Sequence, residues 1–182
     1  MSLVEITLRR SREGKETWSA FFDLRKAYDM VPHDLLLEKV KAKQFGPKFF
    51  NMVRGVYKST QGCVRIRETV GDPFDIERGV RQGCPLSPIL FDILIDDLLD
   101  KMTPLSIPGI SESKFKGMLF ADDTLLVADS PEDLQCKINL VSDWMAQNGM
   151  ELNVAKSGII VFPNSGNEIA IKYREQEVPR VE

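Results

Sequence analysis

The sequence predicts an α+β protein in which helices pack on one side of an antiparallel sheet. Three stretches lead to that reading. Met118-Leu119-Phe120 and Thr124-Leu125-Leu126-Val127-Ala128 are short apolar runs joined through Ala121-Asp122-Asp123, the pattern of a tight hairpin with Asp122 and Asp123 at its tip. Ser130-Pro131-Glu132-Asp133 follows at once and combines an N-cap, a proline suited to the first helical turn and acidic residues at the positive helix end. Leu134, Ile138, Val141 and Met145 then recur at helical spacing until Asn148-Gly149 stops the helix. The third stretch, Thr17 to Asp23, is rich in aromatic residues and reads as a buried strand ending on a carboxylate. Strand, hairpin and capped helix lay out a split βαβ unit, which lets the carboxylate of the first strand meet those of the hairpin.

The other elements follow in order. Residues Met1 to Gly14 lack clear periodicity and form an N-terminal arm holding Arg9, Arg10 and Arg12. Pro32 opens a helix with an apolar face of Leu35, Leu36, Leu37 and Val40, ended by Gly46-Pro47; a second helix runs from Lys48 to Tyr57 with Phe49, Phe50, Val53 and Val56 inward. The period then becomes that of a strand. Cys63 to Arg67 and Phe74 to Arg78 alternate on either side of a turn at Gly71-Asp72-Pro73, a hairpin with one polar face. Gly79 to Pro85 is a loop, and Ser87-Pro88 marks the N-cap of a helix reaching about Met102. That helix is apolar except for a stripe of Asp92, Asp96 and Asp100, so deep burial is expected. Thr103 to Ser113 connects it to the hairpin. Strands are expected again at Met150 to Val154, Ser157 to Phe162 and Glu168 to Ile171, with a polar tail after Lys172. No repeat, low-complexity tract or clear domain boundary interrupts the chain.

Composition narrows the chemistry. With 182 residues, 43% apolar and 28% charged, the chain has the balance of a soluble globular domain. Asp92, Asp96 and Asp97 break the longest apolar run, so no membrane partner is expected and the location expected is intracellular. Cys63, Cys84 and Cys136 are odd in number and form no CxxC pair, which points to a reducing compartment without a thiolate zinc site. His33 is the only histidine, so mechanisms needing two or three imidazoles are excluded. Carboxylate chemistry remains. The net charge of -3 argues against a nucleic-acid partner, but it averages a basic part, residues 1–81 at +5, with an acidic part, residues 82–182 at -8. Such a division suits phosphates on one part and cations on the other; it also occurs in proteins that bind no nucleic acid.

Neighbouring aspartates repel, and a hairpin selected for stability alone would carry Asn-Gly or Asp-Gly. A divalent cation supplies the missing charge. If Asp23 converges with Asp122 and Asp123, the set suffices for magnesium, which takes a few carboxylates together with waters and substrate phosphates. Two such ions about 3.5–4 Å apart activate an attacking oxygen and stabilise a leaving one in phosphoryl transfer. An exposed acidic turn accounts for Asp122 and Asp123 with no metal at all, and spacing does not choose between the two.

Four stretches, FFDLRKAYDMVPHDLL, RQGCPLSP, FADD and GMELNVAKSGIIVF, lie in this order over about residues 17 to 162. Together they resemble the successive palm motifs of reverse transcriptases, the RNA-directed DNA polymerases, and most of all those of non-long-terminal-repeat retrotransposons and group II introns. The resemblance implies a polymerase palm with a ferredoxin-like split βαβ core and partial fingers over residues 15–162. Residues 1–14 become a fingers remnant, and 163–182 lead toward a primer grip and thumb. It implies catalytic, metal-holding carboxylates at Asp23, Asp122 and Asp123, with Asp122 the firmer ligand of the hairpin pair. The Leu24 carbonyl joins them on Mg2+, for which Mn2+ is a substitute. Tyr28 corresponds to the ring that excludes a ribose 2'-hydroxyl; a core aromatic is the plainer account of it. Arg81, Gln82 and Gly83 correspond to the loop beside the incoming nucleotide and template. Lys156 corresponds to a lysine that neutralises or protonates the leaving pyrophosphate, against the plainer account of an exposed lysine. Asp29 and His33 match positions expected to hold the turn and helix start after the first motif.

The partners implied are an RNA or DNA template with its primer and deoxynucleoside triphosphates. Nothing before residue 15 resembles the basic motifs of the fingers, and EIAIKYREQEVPRVE resembles the approach to the primer grip without reaching it. The fingers and thumb segments of a longer polymerase are therefore expected partners too, and the fragment alone is expected to bind template-primer poorly and to be weak or inactive. Truncated edges also favour a homodimer. Two alternatives stay open: a non-enzymatic scaffold or binding remnant of a retroelement polymerase, and an RNA-directed RNA polymerase, against which Tyr28 weighs.

Overall fold

Burial along Thr17–Asp23 is nearly complete, because this strand forms the middle of a four-stranded sheet. The computed structural model describes residues 2–164, 166 and 169–181. In chain order the elements are α1 (Leu3–Arg12), β1 (Thr17–Asp23), α2 (Ala27–Met30), α3 (His33–Ala42), α4 (Pro47–Tyr57), β2 (Gln61–Gly62), β3 (Arg65–Ile66), β4 (Thr69–Val70), β5 (Phe74–Asp75), α5 (Ser87–Ile95), β6 (Gly117–Phe120), β7 (Asp123–Ala128), α6 (Pro131–Gln147), β8 (Gly158–Phe162), β9 (Lys172–Tyr173) and β10 (Gln176–Glu177). They divide into two compact units: Met1–Arg25 with Asp97–Glu182, and Lys26–Asp96. No helix among the described residues is long and apolar enough to cross a membrane.

The first unit holds the sheet, in the order β6-β7-β1-β8 with every neighbouring pair antiparallel. One face carries Trp18, Ala20, Phe22, Leu126 and Ala128, all buried. Helix α6 packs on β1 and β7 and buries Leu134, Ile138, Val141 and Met145 completely, each worth about 1.5–3 kcal/mol. Its start matches the sequence reading, since Ser130 Oγ accepts the Asp133 N–H at 3.2 Å. The far end of the opposite face is covered by Ile6 of α1 with Leu105 and Ile107, which pack on Leu125 and Val127.

Helix α1 corrects the expectation of an aperiodic arm. Ser2 caps it by accepting the Glu5 N–H, and Arg10, only 1% exposed, interrupts the apolar stripe that would have betrayed the helix. The Arg10 guanidinium donates to Thr17 Oγ1 at 2.9 Å and to the Ser106 and Glu16 carbonyls, and pairs with Asp129. The expected strand at Met150 to Val154 is reduced to a bridge between Leu152 and Leu24, because Val154–Lys156 turns as a 3-10 helix. Of the strand expected at Glu168 to Ile171, Glu168 lies outside the described residues, and residues 169–171 are irregular. The tail is packed rather than merely polar: β9 and β10 pair, Gln135 of α6 exchanges two hydrogen bonds with the Lys172 backbone at 2.8 Å each, and Tyr173 and Val178 are buried.

Lys137 on α6 is also 1% exposed and donates to the Val127 carbonyl and to Asp133 Oδ2, both at 2.7 Å. Burial pushes the Asp133 carboxyl up, but the Lys137 ammonium, the Thr103 hydroxyl and the Asp129 N–H outweigh it and leave its pKa below the ordinary carboxylate value. A depressed folded pKa gives stability that is complete above the unfolded value of about 3.9 and is lost as pH falls through the folded one. Urea unfolding between pH 5 and pH 2 will therefore show a steeper loss for the wild type than for Lys137→Met, which takes away the ammonium. Parallel losses would show that the pair carries no acid sensitivity.

The second unit is built on α3, which packs against both α4 and α5, and Leu36, Val40, Val53, Leu90 and Leu94 of these helices are buried. Both first helices fall where their apolar spacing puts them. Helix α5 does not: it stops at Ile95, short of Met102, and Ser87 lies inside it, its hydroxyl donating to the Arg81 carbonyl at 2.6 Å instead of capping. A helix apolar all round has no phase to mark its end. The expected hairpin is nested, β2 with β5 and β3 with β4, so the chain reverses between Ile66 and Thr69, where Arg67 has φ of 55°, and not at Gly71-Asp72-Pro73. Its apolar side chains Val64 and Ile66 are exposed.

Candidate active site

Asp23 ends β1 and Asp123 begins β7, and the register sets them directly opposite each other. Asp123 also pairs with Phe120, leaving Ala121 and Asp122 as a two-residue loop. The sequence reading of both aspartates at the tip is thereby corrected by one position: Ala121 takes φ of 51°, the left-handed value that a two-residue hairpin demands, and Asp123 is already paired strand. Opposed residues of an antiparallel pair present their side chains on one face. Asp23, Asp123, Phe21, Leu125, Met118 and Phe120 thus share a face, and with Lys156 they line a cavity of about 450 Å3. Phe120, Met118 and Phe21 are 79%, 50% and 41% exposed, so the uncovered end of this face is apolar around its two acids.

Asp122 is placed differently. Its carbonyl accepts the Leu24 N–H at 3.2 Å, tying the loop to the end of β1, and it is not among the residues lining the cavity. Among the described residues no three His, Cys, Asp or Glu side chains gather closely enough to hold a metal ion. The set brought together is therefore a pair, Asp23 with Asp123. Lys156 Nζ stands 4.0 Å from Asp23 Oδ2 and is 70% exposed, so it offsets the facing negative charges only weakly. Two facing carboxylates open to solvent fit magnesium, which binds through one or two carboxylates and keeps several waters.

Asn153 has no place among the residues the sequence singled out, yet it touches Asp23 twice. Its N–H donates to the Asp23 carbonyl at 2.8 Å and its Nδ2 to Asp23 Oδ2 at 3.2 Å. The signal was present as Asn153-x-x-Lys156: three residues make one turn of a 3-10 helix, so both side chains fall on one side.

Tyr28, Arg81, Gln82 and Gly83 belong to the other compact unit, Lys26–Asp96. There Tyr28 stacks on Phe91 with ring centroids 4.9 Å apart, and its carbonyl accepts the Val80 N–H at 2.8 Å. Gln82 Nε2 donates to Asp29 Oδ1 at 3.0 Å, so the Asp29 side chain holds the distant loop of Gly79 to Pro85. Arg81 reaches the Val56 carbonyl at 3.3 Å. Gly83 has φ of 78° with open space where a Cβ would lie, a conformation that favours glycine. His33 is buried and bonds the Gly79 carbonyl through Nε2 at 2.7 Å, which fastens the start of α3 as expected.

The chain matches the family described as reverse transcriptase (RNA-dependent DNA polymerase) over residues 2–178. It is 29% identical over 172 residues to the Pol polyprotein of a type-1 retrotransposable element R2 from Nasonia vitripennis, covering 94% of this chain and 17% of that protein. With the R2 polyprotein of Popillia japonica it shares 31% identity, over 90% of this chain and 24% of the relative. Both are of the non-long-terminal-repeat type that the motifs resemble, and the chain spans a quarter of their length or less. Among solved structures, apo telomerase from Candida tropicalis, truncated from its C-terminal domain, superposes with a TM-score of 0.64 at 18% identity, over 91% of this chain and 36% of that one, a likeness of fold. Little of the sequence lies outside a match running from residue 2 to residue 178, and the chain belongs to the reverse transcriptase family.

Proposed function

We propose that this chain is the palm segment, with part of the fingers, of an RNA-directed DNA polymerase. In the reaction a primer 3'-hydroxyl attacks the α-phosphate of a deoxynucleoside triphosphate and pyrophosphate leaves. The observation that carries the reading is Asp23 facing Asp123 across β1 and β7 in a chain of this family. Magnesium, or manganese in its place, supplies when bound the Lewis acidity that favours the ionised hydroxyl and offsets charge on the phosphoryl oxygens. Asp23 and Asp123 would hold the ion, and the motif resemblance adds Asp122 of the hairpin loop and the Leu24 carbonyl as its further ligands. Lys156, exposed and charged, neutralises the departing pyrophosphate. Tyr28, braced on Phe91, presents a flat ring to the sugar and rejects a 2'-hydroxyl; Arg81, Gln82 and Gly83 flank the nucleotide and template. The remaining partners are a primed RNA or DNA template and the other segments of a longer polymerase.

Primer extension on an RNA template tests the proposal. The chain is expected to add the complementary deoxynucleotide only when Mg2+ or Mn2+ is supplied, and Tyr28→Ala to raise ribonucleotide use by up to about a hundredfold, the scale on which a pocket rejects an added hydroxyl. Extension that persists after chelation overturns the metal reading. No extension at high protein concentration, with Mn2+ still bound, would assign the segment a binding role inside a longer polymerase. Equal use of both sugars by wild type and Tyr28→Ala would favour an RNA-directed RNA polymerase.

A further inference from the structure

Asp23 has two carboxylate oxygens, and among the described residues both of its side-chain contacts fall on the same one. Asn153 Nδ2 donates to Oδ2 at 3.2 Å, and Lys156 Nζ lies 4.0 Å from that same oxygen. The two partners approach together because Val154–Lys156 forms a single 3-10 turn with Asn153 at its start, and residues three apart on such a turn are eclipsed. Asn153 is itself fixed. Its N–H is bonded to the Asp23 carbonyl at 2.8 Å, and its own carbonyl accepts from the Lys156 N–H at 3.0 Å and from Ser157 Oγ at 2.8 Å. Leu24 and Leu152 form a bridge beside it, and the Arg25 N–H bonds the Glu151 carbonyl at 2.9 Å, so the backbone carrying Asn153 runs alongside the end of β1.

We infer that Asn153 is a positioning residue for the catalytic reaction: its amide fixes the rotation of the Asp23 carboxylate by holding Oδ2, and so presents Oδ1 to the divalent cation. The inference rests on the reading of Asp23 as a metal ligand. A carboxylate free to rotate spreads its lone pairs over many directions, whereas one oxygen pinned by an amide leaves the other aimed in one direction. Asn suits the task better than Asp or Lys. It donates without adding a negative charge to a face that already holds Asp23 and Asp123, and without adding a fixed positive charge that would compete with the cation. Lys156, on its long and exposed stem, can swing off Oδ2 toward a departing anion; the short Asn153 side chain cannot, so the two contacts divide into a permanent one and a releasable one.

The test is Mn2+ binding to the 182-residue chain by isothermal titration, with paramagnetic broadening of the Asp23 side-chain carbon signal as a second readout. Asn153→Ala and Asn153→Leu keep the backbone hydrogen bonds, and Leu also keeps the side-chain volume; circular dichroism identifies the folded variant to be read. Removal of an outer partner of a metal ligand weakens binding by about 10- to 100-fold, and that loss is expected in both variants with the Asp23 signal less broadened at equal Mn2+. Asp23→Asn runs beside them. If it leaves Mn2+ affinity unchanged, the metal reading falls and takes the inference with it. If it abolishes binding while a folded Asn153 variant binds as the wild type does, the metal reading stands and the inference on Asn153 is overturned.

Discussion

On the proposed reading, alanine at Asp23 will lower templated nucleotide incorporation by about a thousandfold, or ~4 kcal/mol of transition-state stabilisation, because it would take one of the two facing carboxylates from the cation. Asp123→Ala is expected to match it, since the register makes the two residues equivalent halves of one site. Asp122 is where geometry and motif resemblance part. The resemblance makes it the firmer ligand, while the loop position ties its carbonyl to Leu24 and leaves it out of the cavity lining. Single-turnover extension by the three alanine variants decides: an Asp122→Ala loss as large as that of Asp23→Ala means that the loop rearranges when the site is loaded, and a loss within tenfold means that the cross-strand pair carries the ion. Asp123→Asn keeps the shape and removes a like charge directly opposite Asp23, so its Tm will not fall. Wild-type activity in Asp23→Ala, in a preparation free of other polymerases, would falsify the assignment.

Arg10→Ala will have the largest effect on stability, about 3 kcal/mol, because the guanidinium is buried while its partner Asp129 is 40% exposed, so the loss falls on the hydrogen bonds and the packing of the Arg10 stem. The substitution leaves Thr17 and the carbonyls of Glu16 and Ser106 without the guanidinium that serves them and removes the partner of Asp129. At about 2–4 °C per kcal/mol for a chain of this size, Tm should drop by about 10 °C. Arg10→Met, which refills the volume, separates the roles. A Met variant as unstable as Ala shows that the hydrogen bonds carry the effect; recovery shows that packing of the Arg10 stem does. A Tm within 2 °C of the wild type in Arg10→Ala would remove the network from the account of stability. Chemical denaturation of the whole chain is the measurement, with far-UV circular dichroism to confirm that the starting state is folded.

The legible parts of the fold were those in which two independent signals coincided. Helix α6 carried a cap, a proline and four apolar residues at helical spacing; β1 carried aromatic residues and a length suited to a strand. The parts that escaped had one signal masked by another. In α1 the cap residue Ser2 with Glu5 three places later is a capping-box pattern, but a buried arginine broke the apolar stripe. In α5 the surplus of apolar side chains hid the end. Around Arg67 a turn formed at a residue with no turn chemistry, while Gly71-Asp72-Pro73, which has it, served as a connection inside a nested hairpin. The site divides in the same manner. Asp23 and Asp123 were legible because strand ends and carboxylates can be read locally. Their exact partnership was not, because a one-residue difference in loop length decides which aspartate faces β1. Asn153 escaped because its role depends on a contact between residues 130 positions apart.

The two-residue loop between Phe120 and Asp123 acts as a phase gauge for the whole strand. Side chains along β7 alternate between faces, so a register set by two loop residues decides at once that Asp123 opposes Asp23 and that Leu126 and Ala128 enter the core beneath α6. A slip of β7 by one residue would point Asp123 into the buried layer of Trp18, Ala20 and Phe22 and bring Leu126 out to water. Neither the reactive face nor the core can drift without the other, and the length of this loop is therefore held by two penalties at once. The exposed stretch 109–112, beyond the buried Leu105 and Ile107, carries no such coupling. Variation in length belongs there, whereas the Ala121-Asp122 loop cannot gain or lose a residue without shifting the phase of β7.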